Sequence, residues 1–127
     1  MNKSTISSRI VSVVVAIAAV FGLTLGLSGC SSQTVDMSTV TAVIDVRTPA
    51  EFAEGHLEGA VNINIEDPTF ADQVSTLAKD GTYVVYCRSG NRSAQAIDAM
   101  TSMGFTDLTN AGGYLDASNL TGLPLVQ

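Results

Sequence analysis

Positive charge is scarce in this chain. Six basic residues stand against 12 acidic ones, and the formal net charge is −6. Past the first 30 residues only Arg47, Lys79, Arg88 and Arg92 remain against all 12 acids, a formal −8. A surface of that sign gives no reason to expect nucleic acid as a partner. Tryptophan is absent, and histidine occurs once, at His56. The sequence shows no internal repeat, no metal-ligand cluster and no phosphate-binding glycine signature, so no metal or other cofactor is expected. Cysteine is limited to Cys30 and Cys87. A disulfide between them is one reading. The other is that each has its own local explanation, and the residues around each supply one. With 127 residues, the chain is long enough for one small domain.

Charge is also missing from residues 10–27, which are almost wholly apolar and follow a polar start carrying Lys3 and Arg9. Leu27-Ser28-Gly29-Cys30 comes next, with small residues directly before a cysteine. A charged section, an apolar section and a small-residue section make a secretory signal peptide. The ending resembles the lipobox of bacterial lipoproteins. That resemblance implies cleavage before Cys30 and a lipid on its sulfur, with residues 1–29 the signal peptide and 30–39 the attachment cysteine and a short spacer. An uncleaved transmembrane helix is the competing reading, since 18 residues could just span a bilayer. Either way the domain, residues 40–127, is expected on the extracytoplasmic side of the cell membrane, held by a membrane tether.

The second cysteine has a different setting. Tyr83-Val84-Val85-Tyr86 is a short apolar, β-branched run that reads as a buried strand. Ser93-Ala94-Gln95-Ala96-Ile97-Asp98-Ala99-Met100 reads as a helix. Between them lies Cys87-Arg88-Ser89-Gly90-Asn91-Arg92-Ser93. A cysteine at the end of a parallel strand, facing a helix N-terminus, meets unpaired backbone N–H groups. Those donors and the helix dipole favour the thiolate. Gly90 allows positive φ and keeps bulk out of the loop. Arg88 and Arg92 add anion-binding donors and should make the loop a positive spot on a negative body. Cys87 is thus expected to be an activated sulfur nucleophile in an anion-binding cup.

In chain order, Val40-Thr41-Ala42-Val43-Ile44-Asp45-Val46 reads as a central parallel strand ending in an acid, with Arg47 after it. Thr48-Pro49-Ala50-Glu51 is a capping-box pattern with proline at the first helical position, and Gly55 should stop the short helix that follows. His56 to Ala60 turns into a second apolar run, Val61-Asn62-Ile63-Asn64-Ile65. Asp67-Pro68 should start a helix with Phe70, Val74 and Leu77 on one face, ending near Asp80-Gly81. Gly104 should close the helix after the cysteine loop. Phe105-Thr106-Asp107-Leu108-Thr109 reads as a last short strand, and Gly112-Gly113 begins a turn, a short helix and a loop with Pro124. Strands alternating with helices make an α/β domain: a central parallel sheet flanked by helices in three layers. Such sheets carry their sites beyond the carboxyl ends of the strands, where Asp45 and Cys87 both lie.

Taken together, Asp45-Val46-Arg47-Thr48-Pro49-Ala50-Glu51-Phe52, Gly55-His56-Leu57-Glu58-Gly59-Ala60-Val61-Asn62-Ile63, the cysteine loop and Gly112-Gly113 resemble the rhodanese-like domain family of sulfurtransferases, over residues 40–126. The resemblance implies a persulfide on Cys87. Sulfur would pass from a small anionic donor such as thiosulfate to a thiol or cyanide acceptor, with Ser89, Gly90, Asn91 and Arg92 forming the cradle. Two departures concern the pocket wall. Tyr114 and Leu115 occupy the stretch after the glycine pair where the family usually has a tryptophan, and Ile65 stands where a proline is common.

The other residues of the motifs take supporting parts. Asp45 could orient a loop arginine or cap a turn, and Arg47 with Glu51, four residues on, reads as a structural ion pair. Arg92 is expected to hold the loop through Asp45 or Glu51, and Arg88 to face the donor. His56 reads as structural, and Met100 and Met103 as core. Two other functions compete: a cysteine-loop phosphatase or arsenate reductase, and a sulfur-sensing or binding module without catalysis. The chain is a single copy of the domain and is expected to act as a monomer.

Overall fold

The computed structural model describes residues 33–127. The expected signal peptide, the expected lipid attachment at Cys30 and the start of the spacer lie outside the described residues, and so does the Cys30–Cys87 disulfide reading. Among the described residues ten elements follow one another: β1 (Ala42–Asp45), α1 (Pro49–Glu54), β2 (His56–Leu57), β3 (Val61–Asn62), α2 (Phe70–Ser75), β4 (Thr82–Cys87), α3 (Asn91–Ser102), β5 (Asp107–Gly113), α4 (Tyr114–Thr121) and β6 (Leu125–Val126). Strands β3, β1, β4 and β5 form one sheet in that order, and every neighbouring pair is parallel. The expected α/β fold, a central parallel sheet with helices on it, is what the chain adopts.

The run from Tyr83 to Cys87 is apolar throughout because both of its faces are covered. Successive side chains point to opposite sides. Tyr83, Val85 and Cys87 join Ile44, Val46, Phe70, Val74, Ala96 and Met100 under α2 and α3. Val84 and Tyr86 join Val43, Leu57, Ala111 and Ala117 under α4. Cys87 therefore points to the α3 side of the sheet, while Tyr86, next to it, points to the other. Met100 is fully buried and Met103 packs at the edge of the same cluster, so both serve the core.

Several boundaries differ from the sequence reading. The helix expected from Asp67 to about Asp80 is only Phe70–Ser75. Asp67 instead forms a turn, its Oδ1 accepting the Thr69 N–H at 2.8 Å and the Thr69 hydroxyl at 2.7 Å. At the far end Leu77 N–H donates to Val74 C=O, a three-residue step that tightens the last turn and ends it. Strand β3 is two residues long, although Ile63 N–H and Ile65 N–H still bond to Asp45 and Val46 carbonyls. Strand β5 is longer than expected and runs through the glycine pair. The tail's loop ends in β6, whose Leu125 and Val126 pair antiparallel with Leu57 and His56. Residues assigned to the spacer also touch the domain: Val35 N–H donates to Leu120 C=O, and Val35 and Met37 pack against the α4-side cluster.

Candidate active site

Cys87 ends β4, and residues 88–90 lead straight into α3. Gly90 is the N-cap of α3, with φ +95°, and no side chain caps that helix. Its backbone N–H instead donates to Cys87 Sγ at 2.9 Å. Ser93 Oγ lies 3.5 Å from the sulfur. Burial by itself would push the Cys87 thiol up. Hydrogen bonds from the Ser93 hydroxyl and N–H and from the Ser89 and Gly90 N–H groups overcome it, so the pKa falls below the ordinary thiol value.

The glycine pair lets this loop lie against β5. Cys87 pairs with Gly113, and Val85 pairs with Asn110, so β5 spends one extra residue between these pairs. This bulge puts Gly112 at φ +73° and turns the strand toward the loop. A Cβ on Gly113 would meet the Arg88 carbonyl oxygen at 2.6 Å, and one on Gly90 would meet Gly112 Cα at 3.3 Å. Close approach of two backbones is what requires glycine on each side.

Arg47 pairs differently from the sequence reading, while Arg92 takes one of its two expected partners, Glu51. Arg47 does not reach Glu51. It folds back on Asp45, its Nη2 2.7 Å from Oδ2 and its Nε 3.0 Å from both carboxylate oxygens, and Nη2 also donates to the Gly55 carbonyl. Both residues are buried. Asp45 orients no loop arginine, because it lies on the Tyr86 side of the sheet with its lone pairs already taken. Glu51 is left to Arg92, which holds it through two bonds of 2.8 Å, and Glu66 lies 3.6 Å away. Arg92 hydrogen bonds, joined by those from Thr48, carry the Glu51 pKa down to about 2 against the effect of burial. With Arg47 and Arg92 both neutralised, the expected positive spot reduces to Arg88, which is exposed.

Arg88 borders a cleft of about 190 Å³ with Arg47, Glu51, Glu54, Gly55 and Tyr114. The Arg47 guanidinium lies 5.1 Å from the centre of the Tyr114 ring, so the residue in the tryptophan stretch does form a wall. Leu115 faces solvent, and Ile65 packs against the core. Ser89 is exposed, and its N–H is among the groups that lower the Cys87 pKa. Asn91 begins α3 with its side chain turned to Gln95. His56 stacks on Phe52 at 3.7 Å and meets the Phe52 carbonyl through Nδ1, well occupied in a structural part. Sequence reasoning passed over Glu54 and Asn110. Glu54 joins the cleft only because α1 packs beside it. Asn110 follows the stretch that reads as the last strand and becomes part of β5 only because that strand runs on to Gly113.

The family model described as rhodanese-like domain matches residues 32–119. The chain belongs to that family. It is 37% identical over 73 residues to the thiosulfate sulfurtransferase PspE of Escherichia coli strain K12, covering 58% of this chain and 70% of that one. It is 36% identical over 84 residues to a sulfurtransferase of Allochromatium vinosum, covering 66% and 77%. Among solved structures it is similar to a rhodanese with anions from E. coli, with a TM-score of 0.56 at 35% identity and coverage of 68% and 96%. A rhodanese-like domain from Anabaena matches with a TM-score of 0.60 at 29% identity, covering 68% and 98%. The rhodanese-like chain is a sulfurtransferase, and Arg88, the residue after the buried Cys87, lines its cleft.

Proposed function

We propose that Cys87 carries the sulfur, that thiosulfate is a competent donor, and that a thiol or cyanide is the acceptor. The observation that carries this reading is the helix start without a side-chain cap, whose Gly90 N–H donates to the sulfur. The Cys87 thiolate attacks the outer sulfur of thiosulfate. A Cys87–sulfur bond forms, and the donor's S–S bond breaks with its electron pair leaving on sulfite. The persulfide's negative charge then rests on the outer sulfur, within reach of the loop donors. An acceptor attacks that outer sulfur, and the S–S bond breaks to return the Cys87 thiolate. Neither step requires an external oxidant or a protonated leaving group, which suits a site whose one histidine is stacked elsewhere. Arg88, exposed at the cleft mouth, meets the anionic donor, and Arg92 holds the loop through Glu51.

The test is intact mass and peptide mapping after exposure to thiosulfate. One added sulfur on Cys87, removable by cyanide, is expected, and Cys87→Ser should lose both the adduct and turnover. Transfer that survives Cys87→Ser sinks the mechanism. The same preparation should turn over neither aryl phosphate nor arsenate, because the interval of four residues between Cys87 and Arg92 draws its N–H groups in around one sulfur atom. Cys87-dependent phosphatase or arsenate reductase activity above the sulfur-transfer rate would favour that class instead.

The same proposal places the domain at the extracytoplasmic face of the cell membrane, as a monomer anchored through lipid on Cys30. The support is the charged, apolar and small-residue order ending at Leu27-Ser28-Gly29-Cys30. Labelled fatty acid should be incorporated into the wild-type precursor and not into Cys30→Ala. Label persisting in the variant refutes the anchor.

A further inference from the structure

Asn110 stands on β5 beside the cysteine loop. Its Oδ1 accepts the Gly112 N–H at 2.9 Å. A backbone N–H can only donate, so the amide oxygen, and not the amide nitrogen, faces inward. That same oxygen lies 2.8 Å from Ser93 Oγ and is therefore an acceptor for its hydroxyl. Ser93 Oγ also lies 2.9 Å from the Gly90 carbonyl oxygen and 3.5 Å from Cys87 Sγ. Ser93 is fully buried, and a hydroxyl has one proton to give. That proton cannot serve the sulfur and a carbonyl or amide oxygen at once. The Gly90 carbonyl also takes the Ala94 N–H, at 3.2 Å.

We infer that Asn110 is a positioning residue: it holds the Ser93 hydroxyl proton away from Sγ whenever that sulfur is uncharged, and releases it when the sulfur becomes a thiolate. The inference rests on Cys87 as the sulfur carrier. In the thiol state the S–H donates to Ser93 Oγ, and the Ser93 proton points to Asn110. In the thiolate it turns to Sγ. In the persulfide the charge sits on the outer sulfur, Sγ is a poor acceptor, and the proton returns to Asn110. When the acceptor attacks, it turns back to the departing thiolate. The proton never leaves Ser93, and no heavy-atom bond is made or broken in the turn. The charged groups around the loop are Arg88 within it, Arg92 with Glu51 and Glu66, the Asp45–Arg47 pair of β1, and Asp116 of α4 near the glycine pair. Among the described residues, none of them hydrogen-bonds to Ser93 or Asn110.

The experiment is the pH profile of iodoacetamide alkylation, read on the Cys87 peptide of the full chain, for wild type, Ser93→Ala, Asn110→Ala and the double variant. Ser93→Ala should move the midpoint up, because the thiolate loses a donor. Asn110→Ala should move it down, giving about threefold more thiolate at a pH below the midpoint. On the Ser93→Ala background, Asn110→Ala should change nothing. An upward move in Asn110→Ala, or the same move with and without Ser93, overturns the inference and leaves Asn110 a packing residue. Asn110→Asp keeps the shape and serves if the alanine variant does not fold. It should raise the midpoint, and by more with Ser93 present than without it; an equal rise on both backgrounds also overturns the inference. Sulfur loading of wild type by thiosulfate is measured beside these profiles. Its absence would remove the sulfur-carrier reading while the profiles still decide the proton's position.

Discussion

Two adjacent strands of the sheet end in the same sequence of events with opposite results. Strand β1 ends in Asp45, passes Arg47 and enters α1; strand β4 ends in Cys87, passes Arg88 and enters α3. At α1 every device for closing a helix start is in use. Thr48 Oγ1 accepts the Glu51 N–H, Glu51 reaches back to the Thr48 N–H, and Pro49 occupies the first turn. At α3 the N-cap is glycine and no side chain caps it. Its donors turn to the sulfur. The difference teaches that a closed helix start is a structural joint, while an open one is a binding device. Glu51 joins the two, because its carboxylate serves both the α1 capping box and Arg92 of α3.

The largest effect should come from breaking the closed end. Arg47→Ala strands the buried Asp45 carboxylate without its partner, and urea unfolding should show a loss of about 3–5 kcal/mol. A loss below about 1 kcal/mol would mean that Asp45 finds water or takes up a proton at little cost.

Glu51→Ala attacks the link. It removes one half of the capping box and the partner of Arg92, and should cost about 2 kcal/mol by the same measurement. It also has a pH signature. The Glu51 pKa lies below its ordinary value, so its contribution is fully present above about 4.5 and is lost as pH falls through about 2. Glu51→Gln should flatten that part of the acid limb, and an unchanged limb would show that the pair is not felt in solution.

Gly90→Asp turns the open end into a closed one. The new carboxylate can cap α3 and repels the thiolate, so Cys87 alkylation at neutral pH should fall about tenfold or more. The strain at φ +95° and the contact with Gly112 should cost about 1 kcal/mol in the same variant. Retained alkylation would show that the donors at the α3 start are not what activates the sulfur.

The smallest effect on stability belongs to Arg88→Ala. Arg88 is exposed, and the fold should lose less than about 0.5 kcal/mol. The apparent KM for thiosulfate should rise severalfold with kcat little changed. A fall in melting temperature comparable to that of Arg47→Ala would put Arg88 in the wrong group.

The sequence by itself determined what depends on neighbours in the chain. Thr48, Pro49 and Glu51 are close enough to form their cap without help from the rest of the fold, and they do. The short, β-branched apolar run before Cys87 reads as a strand covered on both faces, and that placed the sulfur at a strand end facing a helix start. Tertiary structure decided the partners of the charges. Spacing of four paired Arg47 with Glu51, but the first lies in a buried turn where Asp45 is nearer, and the second faces Arg92, 41 positions away. Tertiary structure also decided where β5 and β6 end. Gly112 and Gly113 look like a turn until β4 lies beside them, and two residues such as Leu125 and Val126 carry no period of their own before β2 offers them an edge. A side chain's hydrogen-bond partner depends on distance in space, which local spacing fixes only within a turn or two of chain. Asn110 lies outside that range of Ser93, and only the pairing of β5 with β4 brings its amide oxygen to the hydroxyl beside the sulfur.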